Sequence, residues 1–423
     1  MTEYCKLCAK EREELLSTLF AEYEEYKARG LKLDLSRGKP NSRQLDMSEE
    51  LLAVKLTGGD SYSQSGEDCR NYGILEGLPE MREFFAELLE LKAEDIIVGG
   101  NSSLQLMYDT LARAMLFGVY GSDRPWGQEQ GLKWLCITPG YDRHFRITET
   151  LGFELISVPM RADGPDMDLV EKYALDPKVK GIWCVPKYSN PTGNIYSEEV
   201  VRRLVSMKCG APDFRIMWDN AYAVHGFTEK DSQIDIFAIA EEYGNRDRIF
   251  YFSSTSKITF PGAGVAMMAM SENNRRQTLP YLGAQTIGYD KLNQLRHLKH
   301  FGTPDKLRFH MIKLGKVIGA KFDIVFNKLS ALKGLGIASW TEPEGGYFVS
   351  LDTLPGTARR VHSLMKEAGV VLTAAGATHP YGTDPEDKNL RIAPTYPTDA
   401  ELSLAMDILV LTVKIAALEA LSK

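Results

Sequence analysis

The sequence predicts an α/β protein: a large domain with a mainly parallel sheet flanked by helices, plus a smaller α+β domain. Three observations carry this reading. Between about Asp95 and Met270 short apolar, β-branched or aromatic runs recur, most of them separated by longer amphipathic segments. After about Thr303 the rhythm gives way to one long helical stretch followed by isolated strand and helix signals. Strands alternating with helices need crossover connections, which lay parallel strands side by side with both faces covered.

In chain order, Lys10–Arg29 alternates acidic and apolar positions at helical spacing and stops at Gly30. The strand runs are Ile96–Val98, Trp134–Ile137, Leu155–Val158, Ile182–Val185, Ile216–Trp218, Ile249–Phe252 and Val265–Met270. Leu104–Phe117 and Glu198–Met207 are helices between them. Phe309–Leu332 predicts a long helix, Gly345-Gly346 a break before the strand Tyr347–Leu351, Thr357–Ala368 a further helix, and the chain from Asp399 a terminal one. The expected division is a large domain at 50–303 and a small domain built from 1–49 and 304–423, with the N-terminal helix packed on the C-terminal part. There is no internal repeat and no low-complexity segment.

Lys+Arg 50 against Asp+Glu 57 gives a net charge of −7, and no basic run interrupts it, which argues against nucleic acid as a partner. The longest apolar stretches, near Gly264–Met270 and Met406–Val413, fall far short of the ~20 residues of a membrane helix. Met1–Lys10 lacks the apolar core of a signal peptide. Six cysteines in 423 residues are too few for a disulfide scaffold. The expected location is the cytoplasm.

In an open parallel sheet, ligands bind beyond the carboxyl ends of the strands. The polar residues after each run are Gly99-Gly100-Asn101-Ser102-Ser103, then Tyr141-Asp142-Arg143-His144, then Ser189-Asn190-Pro191-Thr192-Gly193, then Asp219-Asn220-Ala221-Tyr222, and Ser253-Ser254-Thr255-Ser256-Lys257. Singly, each reads equally well as ordinary structure: an N-cap, a turn, a capping aspartate, a surface lysine. Their weight lies in occurring together at successive strand ends.

The ordered set Asn190-Pro191-Thr192-Gly193, Asp219-Asn220-Ala221-Tyr222, Ser254-Thr255-Ser256-Lys257 and Arg391-Ile392-Ala393 resembles the pyridoxal-phosphate-dependent class I/II aminotransferases of fold type I. The resemblance covers nearly the whole chain. It is nearest the branch related to the aminotransferase domains of MocR-type regulators, which includes some bacterial aspartate aminotransferases. It implies pyridoxal 5'-phosphate as cofactor and transfer of an amino group from an L-amino acid, aspartate or glutamate favoured, to a 2-oxo acid by a ping-pong mechanism.

Carried onto this chain, the resemblance makes Lys257 the Schiff-base lysine and proton carrier, and Asp219 the partner of the pyridine nitrogen. Tyr222 and Asn190 would bond the ring's phenolate oxygen, Tyr141 would stack on the ring, and His144 would support Asp219, against a plain reading as a surface helix histidine. Asn101, Ser102 and Ser103 at a helix start, with Ser254 and Ser256, would hold the phosphate. Arg391 would receive the substrate α-carboxylate in a bidentate fork, assisted by Asn190 and the Gly38 backbone. Tyr72 would reach the phosphate of a neighbouring subunit, implying a homodimer with shared sites.

One position departs from the family. Most relatives have an arginine shortly after the lysine to clamp the phosphate, and here Gly264 falls in its place. Losing that clamp costs about 1.5–3 kcal/mol unless other donors replace it. The serines and the backbone amides of the glycine-rich turn are the expected replacement. For the substrate side chain Arg37 is the first candidate, with Lys39 and Arg143 as alternatives, each equally readable as a solvated surface charge.

Cys5-Lys6-Leu7-Cys8 has metal-like spacing but no second pair, and His297, His300 and His310 lack a completing carboxylate cluster. We read the cysteines as structural or incidental, the histidines as lying on helix surfaces, and expect no metal. The alternatives to transamination are a lyase or decarboxylase using the same cofactor, or a non-catalytic ligand-sensing domain. The absence of a helix-turn-helix segment ahead of Gly38 weighs against the sensor. A nucleotide-binding oxidoreductase lacks its G-x-G-x-x-G after the first strand.

Overall fold

The computed structural model describes residues 3–228 and 233–422. Its large sheet has eight strands: β1 (Ile96–Val98), β2 (Lys133–Thr138), β3 (Glu154–Arg161), β4 (Gly164–Pro165), β5 (Val179–Cys184), β6 (Arg215–Asp219), β7 (Ile249–Ser254) and β8 (Ala266–Met270). They lie in the order β1-β8-β7-β6-β5-β2-β3-β4. The five strands from β7 across to β3 are parallel. β8 runs antiparallel between β7 and β1, and β4 closes the far edge antiparallel. Strands β5 to β8 are buried along their whole length. That is why each reads as an unbroken run rather than an alternating one.

The helices that frame the cleft and the C-terminal part are α1 (Ala9–Ala28), α2 (Ser103–Phe117), α3 (Asp142–Thr150), α4 (Lys291–Phe301), α5 (Pro304–Leu329), α6 (Ala358–Glu367) and α7 (Asp399–Leu421). α7 is buried on nearly every side, and α1, α5 and α6 all pack on it, as an almost wholly apolar helix requires. Beside them β9 (Ala338–Trp340), β10 (Val349–Thr353) and β11 (Asn389–Ile392) form an antiparallel sheet. A parallel pair, Leu33–Asp34 with Val370–Val371, ties the segment before Gly38 to this part.

Several boundaries differ from expectation. α5 starts at Pro304, ahead of Phe309, because Thr303 Oγ1 accepts from Lys306 N at 3.4 Å and proline occupies the first turn. β10 starts at Val349 because Tyr347 and Phe348 belong to the approach segment, where Gly346 N bonds His225 O at 3.0 Å. Of the three histidines His297 is not on a helix surface but buried, whereas His300 and His310 are half-buried, His310 Nε2 donating to Ile258 O at 2.9 Å. Cys5 and Cys8 are exposed and unpaired, and no cluster of metal-ligating side chains exists among the described residues. No helix among them is long and apolar enough to cross a membrane.

Beneath the sheet, Asp213 accepts from Trp126 Nε1 at 2.7 Å, Ser122 Oγ at 2.8 Å and Lys180 Nζ at 2.9 Å. Burial alone raises the Asp213 pKa, but these donors outweigh it and hold it below the usual carboxylate range. Asp213→Ala strands the indole and leaves the buried Lys180 with Glu129 as its one carboxylate, at 2.9 Å, and urea unfolding will show a loss of about 3 kcal/mol. Because the folded pKa is depressed, the contribution of Asp213 is present above the ordinary aspartate range and fades as pH falls below it.

Candidate active site

The carboxyl ends of the parallel strands open onto a cleft of about 530 Å³. The structure brings together there Lys257, Ser254 and Ser256 after β7, Asp219 and Tyr222 after β6, and Asn190 after β5. Tyr141 after β2, Ser102 and Ser103 at the start of α2, Arg391 from β11, and Arg37 and Gly38 complete the lining.

Asp219 organises one wall. It is 4% exposed; its Oδ2 lies 2.9 Å from His144 Nε2, and its Oδ1 has no partner. His144 is buried on α3, stacked on Trp183 (ring centroids 4.4 Å, 10° apart), and met edge-on by Tyr141 at 4.9 Å. It is therefore no surface histidine. A buried carboxylate oxygen left open is costly unless a donor occupies it.

Lys257 Nζ lies 4.9 Å from the centroid of the Tyr222 ring. Burial pulls its pKa below the ordinary lysine value; Asp219 opposes that shift and Arg391 adds to it. Burial also lifts the Tyr222 phenol well above its usual range, and that of Tyr141 to about 12. Behind them His225 is buried between Tyr222 and Tyr347, with both ring nitrogens unpartnered. Burial, followed by the charge of Lys257, holds its pKa down to about 3.

At the anion end, Ser102 makes no side-chain cap on α2, so the first amides of the helix are unspent. Ser254 Oγ donates to Ser256 Oγ at 3.0 Å, and Ser256 Oγ to Asn101 O at 3.2 Å. The Asn101 side chain donates to the carbonyl of Pro261, a residue of the cleft wall, at 3.3 Å. Gly264 is not a gap in the wall. A Cβ added there would meet Thr255 Oγ1 and Phe260 O at 3.2 Å and Ser256 N at 3.3 Å. An arginine there would need these neighbours to give by a few tenths of an ångström.

Arg391 is 8% exposed. Its Nη1 donates to Asp142 Oδ1 at 3.2 Å and Asn190 Oδ1 at 3.3 Å, and Nη2 to Thr373 Oγ1 at 3.2 Å. Nε has no partner, and the guanidinium stands 4.8 Å over the Phe348 ring. Phe348 is seated against Gly38, where a Cβ would meet its ring at 2.1 Å. Arg37 and Arg143 are exposed at the rim of the cleft. Lys39 instead lies on the Tyr396 ring at 3.8 Å. Tyr72 is 80% exposed and stands outside this chain's cleft. Asp142, Thr373, Phe348 and His225 were not singled out from sequence; only Asp142, between two residues that were, offered a signal there.

The donor set fits pyridoxal phosphate. The open Oδ1 of Asp219 suits a protonated ring nitrogen, the uncapped start of α2 with two serines suits a phosphate, and Lys257 is an amine of lowered pKa between them. Together with the sheet, this constellation defines a pyridoxal-phosphate-dependent aminotransferase. The comparisons agree. The chain belongs to the aspartate amino-transferase family, whose pattern matches residues 7–423. It is 49% identical to an aspartate aminotransferase of Corynebacterium glutamicum over 94% of this chain and 92% of that one. The crystal structure of an aspartate transaminase from C. glutamicum superposes with a TM-score of 0.97 at 46% identity, covering 99% of both chains. The α-aminoadipate aminotransferase of Thermus thermophilus, complexed with N-(5'-phosphopyridoxyl)-L-leucine, shares the fold at TM-score 0.74 and 19% identity, over 94% of this chain and 95% of that one. The elimination, decarboxylation and sensing alternatives gain no support from these relatives.

The lowered pKa of Lys257 has a measurable sign. Its amine is free at lower pH than an ordinary lysine, so the rate at which apoprotein captures pyridoxal phosphate will reach its plateau below pH 10.5. Asp219 raises this pKa, so Asp219→Asn moves the midpoint lower still; a midpoint at the ordinary lysine value would contradict the assignment.

Proposed function

We propose that this aminotransferase takes an acidic L-amino acid, aspartate or glutamate, and returns its amino group to a 2-oxo acid. The observation that carries the reading is the pairing of a buried Arg391 with Arg37 and Arg143 at the rim of one cleft. That gives two separate places for two carboxylates. The name of the C. glutamicum relative supports the same substrate class.

When bound, pyridoxal phosphate supplies an electrophilic carbon and an electron-accepting ring. The residues of the chain do the rest. Arg391 holds the α-carboxylate, with Asn190 and the Gly38 backbone beside it. Arg37 receives the distal carboxylate. Lys257 Nζ would take the proton from Cα of the amino donor in the first half-reaction and deliver one to the carbon that becomes Cα of the new amino acid in the second. Asp219, steadied by His144, would accept from the ring nitrogen, Tyr222 and Asn190 would bond the phenolate oxygen, and Tyr141 would pack on the ring. Ser102, Ser103, Ser254 and Ser256 hold the phosphate, and the Asn101 carbonyl orients Ser256.

The site is shared in a homodimer on this reading. The exposure of Tyr72 (80%), Leu116 (65%) and Ile287 (63%) supports an interface. The antiparallel sheet β9–β11 and the packing of α1 on α7 support the division into 50–303 and 1–49 with 304–423. Six free cysteines fit a reducing cytoplasm.

Two measurements test this. Titrating the holoenzyme with aspartate, glutamate and neutral amino acids, the visible cofactor band will shift with the acidic pair and return on adding their 2-oxo acids. Equal response to neutral amino acids removes the acidic assignment. Sedimentation equilibrium will give twice the chain mass; a monomer that retains full activity removes the shared site.

A further inference from the structure

The loop Ser254–Gly264 carries Lys257 and two of the proposed phosphate-binding serines, and Gly264 falls where relatives place a clamping arginine. The structure fastens this loop from behind, through α4. Asn293 Nδ2 donates to Ala263 O at 3.0 Å and to Gly264 O at 2.9 Å, holding the far leg. One helical turn on, His297 Nε2 lies 3.0 Å from Thr259 Oγ1 and 3.3 Å from Thr255 Oγ1, holding the near leg on both sides of Lys257. Thr255 Oγ1 in turn accepts from Val265 N at 2.9 Å, joining the two legs. His297 Nδ1 faces Asn293 O at 2.9 Å, and a carbonyl only accepts, so Nδ1 carries the hydrogen. Burial holds the ring neutral, its pKa down to about 4. Nε2 therefore presents a lone pair to the threonine hydroxyls.

We infer that His297 and Asn293 are positioning residues for the cofactor: they fix the Lys257 loop from α4, so that its serines stand ready for the phosphate without the arginine. Neither residue lines the cleft, so they act through Thr255, Thr259 and the Ala263–Gly264 carbonyls. The polar character of this helix face has the same cause. Asn293 and His297 are both buried toward the loop, where a helix that only filled space would carry apolar side chains. Gly264 completes the device, since a Cβ would press on Thr255 Oγ1 and Ser256 N.

The inference rests on the proposed roles of Lys257 and the serines, which are checked separately by borohydride reduction of the holoenzyme and location of the labelled peptide. If the label is not on Lys257, that assignment fails whatever the variants do. With Lys257 labelled, the dissociation constant of pyridoxal phosphate is measured for His297→Leu, His297→Gln and Thr259→Val, alongside the melting temperatures of apo and holo forms. Loss of the acceptor in His297→Leu will weaken cofactor binding about tenfold. His297→Gln, which keeps an acceptor, will recover part of it, and Thr259→Val will lose less than His297→Leu. The stabilisation that cofactor gives over apoprotein will shrink in step. The inference is overturned if the folded variants bind cofactor as the parent does, or if the apo melting temperature falls while the dissociation constant is unmoved. Should His297→Leu not fold, Thr259→Val, which changes only a hydroxyl to a methyl, decides alone.

Discussion

A carboxylate that is bonded on one side and bare on the other is the constraint around which this molecule is arranged. Asp219 ends the central strand β6, its Oδ2 is fixed by His144, and its Oδ1 is left facing the cleft. His144 can do this only because Trp183 on the adjacent strand β5 supports its ring and α3 brings it inward. That in turn requires the β2–α3 connection to turn sharply over the sheet, carrying Tyr141 with it. Desolvation of such a group is tolerable when a cationic N–H completes it and costly otherwise. The wall of the cleft is thus stabilised by what it binds.

The same economy governs the opposite wall. Arg391 is a buried cation that shares one nitrogen between Asp142 and Asn190, gives another to Thr373, and rests on Phe348. Phe348 keeps its place because Gly38 has no side chain. A residue near the start of the chain thereby sets the height of a guanidinium near its end.

Much of this was legible in the sequence, for identifiable reasons. Strands buried on both faces must be apolar throughout, so each central strand announced itself, and the rule that ligands gather beyond their carboxyl ends then picked out Asp219, Tyr222, Asn190 and Lys257. Asn190 beside Arg391 came with the family resemblance, but Asp142 was hidden, because the fold joins it to Arg391 across 249 positions and no local pattern encodes that distance. The polar contacts of α4 were hidden for a different reason. Its apolar stripe of Leu292, Leu295, Leu298 and Phe301 marks it as a helix, but nothing local shows that His297 and Asn293 bond a loop 38 and 29 positions away. The edge strand Gly164–Pro165 is too short for any periodicity to show.

The packing of α1 on α7 bears on how the protein is made. The strands of the large sheet lie between residues 96 and 270, so a ribosome delivers all of them while more than a third of the chain is still unmade. α1 leaves the exit tunnel before these strands, yet the helix that covers it, Asp399–Leu421, is synthesised after them. Through most of translation the N-terminal helix has no surface to bury itself on. Its six glutamates among twenty residues keep most of its surface charged through that wait, which limits association with neighbouring nascent chains.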